Sequence, residues 1–365
     1  MGISLHAQSG SIFQVVPTPN EHPSPFQNQL LRAAASSPAD IWAVGQSTIH
    51  FDGTQWTAFP APLINGDNTS YLNGLVVVSP TEAWAAGNIN IGLANPGQVI
   101  EHWDGTQWSV FPNPTLPAGT QPSLYGMAKV SADNIWAVGA LLAGPSLFAL
   151  FEHWDGTSWK ATAGPFHGFF NAVSADAADD IWAVGCGNFS EHFDGKTWSF
   201  VPTPNVGTGP NCLNGVLALG PKDVWAVGYS TATQRPPPGQ FDVPTKTLIE
   251  HWDGTNWTVV PSPNVGPHSQ FQSNRLLGVV AVSPTDLWAF GSFFAASGSE
   301  NQMTLVLHWD GTAWSLVPSP NPTSGSFLSD ILFGGVVTGP GSVWLVGSED
   351  EAPTSGTLVL HTTGG

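Results

Sequence analysis

The stretch Leu248–Pro261, LIEHWDGTNWTVVP, recurs along the chain in recognisable variants. The other copies are Ile49–Pro60, Ile100–Pro112, Phe151–Ala161, Ser190–Pro202 and Val306–Pro318, followed by a shortened copy, LVLHTTGG, at Leu358–Gly365. Asp-Gly between two apolar segments predicts a tight turn, because glycine tolerates a positive φ. Proline after the second segment predicts a strand end, because it cannot donate to a strand ladder. Each copy therefore predicts two strands joined by a tight turn.

A second signature precedes each of these copies: an apolar run, a turn of the SPxD type, and then WAVG or a close variant. Its seven occurrences are Ser36–Gly45, Ser79–Gly87, Ser131–Gly139, Ala178–Gly185, Gly220–Gly228, Ser283–Gly291 and Gly339–Gly347. Their tryptophans are 42 to 63 residues apart, a period typical of four-stranded propeller blades. The sequence thus predicts an all-β, seven-bladed β-propeller with four antiparallel strands per blade.

The expected domain is single and spans 1–365. Its predicted blades are 30–60, 72–112, 124–163, 170–202, 213–261, 276–318, and 332–361 completed by 11–17. The last blade lacks a fourth strand, and Ser11–Asn20 (SIFQVVPTPN) matches the fourth strand of the other repeats. We therefore expect the N-terminal strand to complete the last blade and close the ring, which leaves only short edges.

The charge balance limits the partners. Asp and Glu outnumber Lys and Arg by 26 to 8, which gives a net charge of −18. Such a charge repels phosphate, so nucleic acid and anionic membrane surfaces are poor partners. No apolar run approaches the roughly 18 residues of a membrane span. The polar, tryptophan-rich repeats favour a secreted or cell-surface protein, and MGISLHA at Met1–Ala7 matches no complete signal peptide.

WAVG followed by the HxDGxxW pattern resembles the repeat of Asp-box propellers, and above all bacterial secreted proteins with tandem WAVG and HWDGTxW repeats. It is more distantly similar to photosystem II assembly-factor propellers, through GTLVLHTTGG at Gly356–Gly365, and to seven-bladed lectins with DGxxW units. The strict Asp-box has one residue between Asp and Gly, whereas Asp104 and Gly105 are adjacent here. The resemblance implies a propeller and leaves open a lectin, an assembly factor or a glycosidase.

The connections of variable length all emerge at one end of the predicted ring, where binding residues usually lie. Non-repeating side chains at this end are the predicted ligand-binding residues: Arg32, Tyr71, Asn73, Tyr125, His167, Asn171, Asn214, Tyr229, Arg235 and Arg275. Arg32 replaces a glycine of the inner strands. The three arginines could clamp a carboxylate, or they could be ordinary surface residues. Cys186 and Cys212 lie at the same end, as a disulfide or as two separate buried thiols.

The repeated residues have two readings. The His of each HWDG copy could serve acid–base or metal chemistry, or could form a buried network with the Asp of the SPxD turn, such as His308 with Asp286 and His251 with Asp223. Tryptophans on the fourth strands could pack the blade rim or stack on sugar rings, one per blade. They are Trp56, Trp108, Trp159, Trp198, Trp257 and Trp314.

The leading functional hypothesis is an extracellular carbohydrate-binding module that takes a glycan or a cell-surface ligand. The first alternative is a glycan-active enzyme with carboxylates at the channel mouth, for which Asp67, Asp242 and Glu349–Glu351 are the candidates. The second is a protein-interaction scaffold. No phosphate loop, nucleophile elbow or metal motif occurs, so we expect no cofactor and no metal site. The sequence does not predict the oligomeric state.

Overall fold

The computed structural model describes residues 11–21, 28–60, 62, 70–89, 97–231, 244–265, 273–294, 301–323, 328–351 and 354–362. Within these ranges the chain is all β. Five sheets each contain four antiparallel strands in chain order, and we call them blades 1 to 5.

The strands of the blades are as follows. Blade 1 contains β2 (Leu30–Ser37), β3 (Asp40–Gly45), β4 (Thr48–Phe51) and β5 (Trp56–Ala58). Blade 2 contains β6 (Tyr71–Ser79), β7 (Glu82–Ile89), β8 (Gly97–Trp103) and β9 (Trp108–Phe111). Blade 3 contains β10 (Thr120–Ser131), β11 (Asn134–Ala143), β12 (Ser146–Trp154) and β13 (Trp159–His167). Blade 4 contains β14 (Phe170–Ala177), β15 (Asp180–Gly185), β16 (Phe189–Phe193) and β17 (Trp198–Pro202). Blade 5 contains β18 (Asn211–Gly220), β19 (Asp223–Thr231), β20 (Thr245–Trp252) and β21 (Trp257–Val259).

The other eight strands form one sheet. They are β1 (Phe13–Val15), β22 (Asn274–Ser283), β23 (Asp286–Phe294), β24 (Gln302–Trp309), β25 (Trp314–Val317), β26 (Leu328–Gly339), β27 (Ser342–Glu351) and β28 (Thr354–Thr362). Their order is β1-β28-β27-β26-β24-β23-β22, with β25 paired to β24. The first strand pairs antiparallel with the last, so that Phe13 lies opposite Thr362.

The prediction of seven separate blades is therefore wrong, because the structure has five four-stranded blades and one eight-stranded sheet. The two halves of that sheet are joined by a parallel bridge between Gln302 of β24 and Ser329 of β26. β26 begins at Leu328, four residues before Leu332, the position at which the repeat predicts its start. This extension brings the backbone of β26 beside the start of β24, and repeat spacing does not predict such a contact.

The hydrophobic core lies between neighbouring sheets and runs round the ring. Each tryptophan of a WAVG segment packs against an aromatic ring on a fourth strand: Trp42 with Trp108, Trp84 with Trp159, Trp136 with Trp198, Trp182 with Trp257, Trp225 with Trp314, Trp288 with Phe13, and Trp344 with Trp56. The last contact, with ring centroids 5.8 Å apart, joins the eight-stranded sheet to blade 1 and closes the ring.

The space beside the inner strand explains why the WAVG segment ends in glycine. A Cβ atom on Gly139 would collide with the backbone carbonyl oxygen of Ser123 on the inner strand. The strand pair has a bulge at the same place, since the register shifts between Leu124 and Gly126. Glycine therefore lets the second strand lie close to the inner strand at the bulge.

The predicted hydrogen bonds between histidine and aspartate are confirmed, but the pairs are not buried, since the side chains of Asp223 and Asp286 are 32% and 40% exposed. Nε2 of His308 lies 2.8 Å from Oδ1 of Asp286, and Nε2 of His251 lies 2.8 Å from Oδ1 of Asp223. In blade 3 the acceptor is Asn134, 2.9 Å from Nε2 of His153. Each of these pairs links the SPxD-type turn to the third strand of its own repeat and fixes their register.

A disulfide joins Cys186, which follows β15 of blade 4, to Cys212 on β18 of blade 5, with their Cα atoms 4.0 Å apart. Their backbones also form an isolated antiparallel bridge. The two neighbouring blades are thus linked covalently at the end of the ring that carries the variable connections. Within the described ranges, no helix is long and apolar enough to cross a membrane.

Candidate functional site at the mouth of the central channel

The inner strands surround a central channel. The first strands of the five blades, together with β22 and β26, line a pocket of about 190 Å³. The channel is narrow because glycines let the strands approach closely. A Cβ atom on Gly215 would lie 3.0 Å from Cα of Gly278 on the neighbouring strand.

Arg32 is the charged residue among those that line this pocket, and the lining includes no Asp or Glu. Its Nη1 donates to the carbonyl oxygens of Leu31 at 2.7 Å and Phe333 at 3.4 Å, and its Nη2 donates to that of Tyr125 at 3.3 Å. The guanidinium therefore reaches across the channel from β2 toward β10. It remains partly exposed.

Burial lowers the pKa of Arg32 to about 10, because a desolvated cation is less stable than one in water. The side chain still carries its charge at neutral pH. Its bonds within the channel go to neutral carbonyl groups, which offset only part of the lost hydration. An anion that entered the mouth would compensate the charge more fully, and a carboxylate suits the planar fork of arginine.

Three predicted ligand residues connect neighbouring inner strands, and one of them, Asn214, also lines the channel pocket. Asn73, Asn171 and Asn214 each follow the large apolar residue that begins the inner strand. Their Nδ2 groups donate to the equivalent carbonyl of the next inner strand, which belongs to Leu124 at 3.2 Å, Leu213 at 3.0 Å and Leu276 at 2.8 Å respectively. These asparagines hold neighbouring inner strands together around the mouth.

The remaining candidates are spread over several places. The ring of Tyr125 meets Phe169 edge-on at 6.2 Å, and the guanidinium of Arg275 lies over the ring of Tyr229 at 5.1 Å. The carbonyl of Tyr71 accepts a hydrogen bond from Asn73. His167 ends β13, where its backbone is paired with Phe148. Arg235, Asp67 and Asp242 lie outside the described residues. Of the other two arginines, Arg32 donates to carbonyl groups of the channel, whereas Arg275 lies against Tyr229.

Most of the tryptophans on the fourth strands are buried against neighbouring sheets and are not exposed to solvent. Trp56, Trp108, Trp159, Trp257 and Trp314 are all 5 to 7% exposed. Trp198 is half-buried, and its ring stacks on Phe151 at 4.3 Å. A sugar ring needs an open aromatic face, and five of these side chains are buried; Trp257 nevertheless also lines a pocket at the rim.

Four glutamates are buried that the repeat pattern did not single out. They are Glu101, Glu152, Glu191 and Glu250, all 0% exposed. Burial raises the pKa of Glu101 and Glu250 to about 8 and that of Glu152 and Glu191 to about 7. Gln98 donates to Oε1 of Glu152 at 2.7 Å. A signal was present in the sequence, because the equivalent positions elsewhere are the apolar Ile49, Leu307 and Leu360. Buried between sheets, these carboxyls are closed to a substrate.

Glu349 and Glu351, proposed for an enzyme, lie on β27, where Glu349 is paired with Asp330 of β26. Asp330 is buried and accepts a hydrogen bond from Thr323 Oγ1 at 2.8 Å. Asp350 faces Ser348 and Ser355, and burial raises its pKa. Over the described part of the chain, no group of three or more His, Cys, Asp or Glu side chains is placed to hold a metal ion.

No family model matches the chain, and a search of curated proteins finds no match. The chain does match solved structures. "YCF48 bound to D1 peptide" has a TM-score of 0.58 at 14% identity and covers 100% of this chain and 99% of that one. YCF48 from Cyanidioschyzon merolae has a TM-score of 0.57 at 14% identity, with 96% and 98% covered.

The WD40 β-propeller domain of Doa1 has a TM-score of 0.56 at 10% identity, with 97% of this chain and 98% of that one covered. These likenesses do not bear on the resemblance to lectins or sialidases, and identities this low show the fold alone. The chain is an all-β β-propeller.

Proposed function

We propose that this propeller is a binding module for a protein or peptide partner, which docks at the channel mouth and places a carboxylate against Arg32. The observation that carries the proposal is the guanidinium itself. It is a cation in a channel pocket whose lining holds no acidic side chain, and it is solvated by backbone carbonyls. A carboxylate there would form charge-assisted hydrogen bonds in a site of low dielectric.

Two further observations support a protein rather than a glycan. The fourth-strand tryptophans, the main reason to expect sugar binding, are buried in contacts between sheets. A structure of similar fold is described as bound to a peptide, namely YCF48 with a D1 peptide. The net charge of −18 disfavours a broadly acidic partner, so the attraction is local and selects a single acidic group.

The test is to select a random peptide library against the purified protein and to measure the recovered peptides by calorimetry. We expect the peptides to contain Asp, Glu or a free C-terminus. Arg32→Ala, which copies Ala172 of blade 4, should weaken them by at least about tenfold, since a hydrogen bond to a charged group contributes about 1.5–3 kcal/mol. Lys160→Ala is the matched control, because it removes a cation whose side chain is 67% exposed and paired with Asp155.

Peptides that bind Arg32→Ala as tightly as the parent would contradict the proposal. Recovery of no peptide together with binding of a free oligosaccharide would favour the glycan hypothesis instead. We further propose that the protein folds in an oxidising compartment, as expected of a secreted or cell-surface protein, which the disulfide between Cys186 and Cys212 supports. Thiol alkylation of the protein from its native source would find both cysteines free if this were wrong.

A further inference from the structure

Aromatic side chains fill the outer space between blades 1, 2 and 3. Phe59 of blade 1 meets Trp103 of blade 2 edge-on, with centroids 5.5 Å apart and an interplanar angle of 87°. Phe111 of blade 2 meets Trp154 of blade 3 in the same way, at 5.5 Å and 89°. The repeat thus provides a place for one phenyl ring, which covers the tryptophan that follows the HWDG histidine.

The boundary between blades 4 and 5 has the same tryptophan pair without the phenyl ring. Trp182 and Trp252 are 5.0 Å apart at 53°, close to the 4.7 Å and 56° of Trp42 and Trp103. Val201 stands where the phenylalanine would be. It pairs with Ser190 in the register in which Phe111 pairs with Ile100.

A pocket of about 290 Å³ lies at this place. Blade 4 and the connection after it line the pocket on one side, and blade 5 lines it on the other. The lining residues are Val201, Pro202, Thr203, Pro204, Trp252, Thr255, Asn256 and Trp257. A cavity of roughly 150 Å³ is enough to take up benzene, so a phenyl ring fits this volume. The neighbouring boundaries show which ring geometry a tryptophan in this position accepts.

We propose that the pocket between blades 4 and 5 binds a phenyl group, supplied by a phenylalanine side chain of a protein partner. The ring would meet Trp252 edge-on, as Phe59 meets Trp103, with the electrostatic preference of aromatic pairs. Thr255 and Asn256 add polar groups at the edge for the backbone that carries the ring. The inference deepens the proposed function and rests on it for the source of the phenyl group, although the pocket itself lies on the outer rim and not at the channel.

The test uses N-acetyl-4-fluoro-L-phenylalaninamide as the probe and fluorine NMR line broadening as the readout. Wild-type protein should broaden the probe signal in a saturable way. Val201→Phe places the repeat's own phenyl ring in the pocket and should weaken probe binding at least about tenfold while the protein stays folded. Val317→Phe is the matched control. Val317 has the same register, opposite Val306, but Thr362 occupies the tryptophan position beside it.

Equal binding to the wild type and Val201→Phe would overturn the proposal, and so would the absence of saturable binding to the wild type. Methyl glycosides, measured by ligand-observed NMR, test the other ligand that a tryptophan pocket could take. Saturable binding of a glycoside that Val201→Phe abolishes, with no binding of the phenyl probe, would also overturn it. The probe binds without a protein partner, so this measurement does not depend on the outcome of the peptide experiment with Arg32→Ala. Either proposal can therefore fail without the other.

Discussion

Glu250 shows how a single side chain can work against its own fold. It lies wholly buried on β20, opposite Ala226, and Ile49, Leu307 and Leu360 hold the same place elsewhere in the ring. Burial without compensation raises its pKa from 4.5 to about 8. The carboxyl therefore stays protonated in the folded protein at a pH at which the unfolded chain has released the proton.

The pH dependence follows from this difference. Below pH 4.5 both states hold the proton and the group costs little. Between pH 4.5 and about 8 the unfolded chain binds fewer protons, so the free energy of unfolding decreases as the pH rises. The loss is at most about 1.4 kcal/mol per pH unit for this group and ends above pH 8, where both states are ionised.

We predict that Glu250→Ile stabilises the protein, by more at pH 8 than at pH 5, because the isoleucine copies Ile49 and cannot ionise. Urea unfolding at the two pH values measures the difference. Leu307→Val, at the equivalent apolar position of β24, is the control, because it changes no ionisable group and should leave the pH dependence as it was. A Glu250→Ile variant with the stability loss of the parent between pH 5 and 8 would show that the glutamate is already compensated.

For single residues, the sequence predicted the contacts between positions that recur in every repeat. His308 with Asp286 and His251 with Asp223 follow from their constant places beside the turns. It left the burial of Trp257 as one of two alternatives and did not predict that of Glu250, because alternation along a strand does not tell which neighbouring sheet covers each face. Nor did it predict the bonds of Arg32, since a lone arginine in place of glycine has no repeat to define its surroundings.

The turn between the third and fourth strands is the most regular element of the repeat. In blade 5, Oδ1 of Asp253 accepts hydrogen bonds from the backbone N–H groups of Thr255 at 2.8 Å and Asn256 at 2.9 Å, and from the Thr255 hydroxyl. These bonds lower the pKa of Asp253 to about 2. Gly254 has a φ of +97°, which side chains with a Cβ rarely adopt.

We predict that Gly254→Ala destabilises the protein by about 1–2 kcal/mol, the cost of a left-handed conformation for a residue with a Cβ. The added methyl would also meet Cγ of Lys222 at 2.6 Å. Gly339→Ala is the matched control, because no heavy atom lies within 4 Å of a Cβ built there. Thermal unfolding of the two variants should differ, and equal midpoints would show that the turn relaxes without cost.

Element positions were accessible from the sequence because turns and tryptophans recur together. The sequence did not predict that the strands β22–β25 and the strands β26–β28 with β1 join into one sheet. This joining depends on the parallel bridge between Gln302 and Ser329, which forms because β26 is extended at its start. Variable connections carry no periodic signal, so their pairing with a neighbouring sheet is a tertiary effect. The same applies to the pocket at Val201, which becomes visible only when equivalent positions are compared across boundaries of known geometry.

For the whole molecule the decisive feature is closure. Each sheet packs against two neighbours, so no boundary between sheets can open without exposing tryptophan surface on both sides. Closure also depends on strand pairing between residues distant in sequence, because β1 pairs with β28. Phe13 on β1 is 2% exposed and meets Trp288 edge-on at 5.4 Å, the role that a tryptophan has on the other fourth strands.

We predict that Phe13→Ala lowers the free energy of unfolding by about 3–5 kcal/mol, the range for removal of a buried aromatic ring. If closure couples the sheets, the whole ring unfolds in one transition. Unfolding curves followed by tryptophan fluorescence and by circular dichroism should then have the same denaturant midpoint, at a lower concentration than in the wild type. Ile12→Ala is the matched control on the adjacent residue, which is 43% exposed. Separate midpoints for the two signals would mean that β1 detaches locally while the remaining sheets stay folded, so that closure by the N-terminal strand would add little to the stability of the ring.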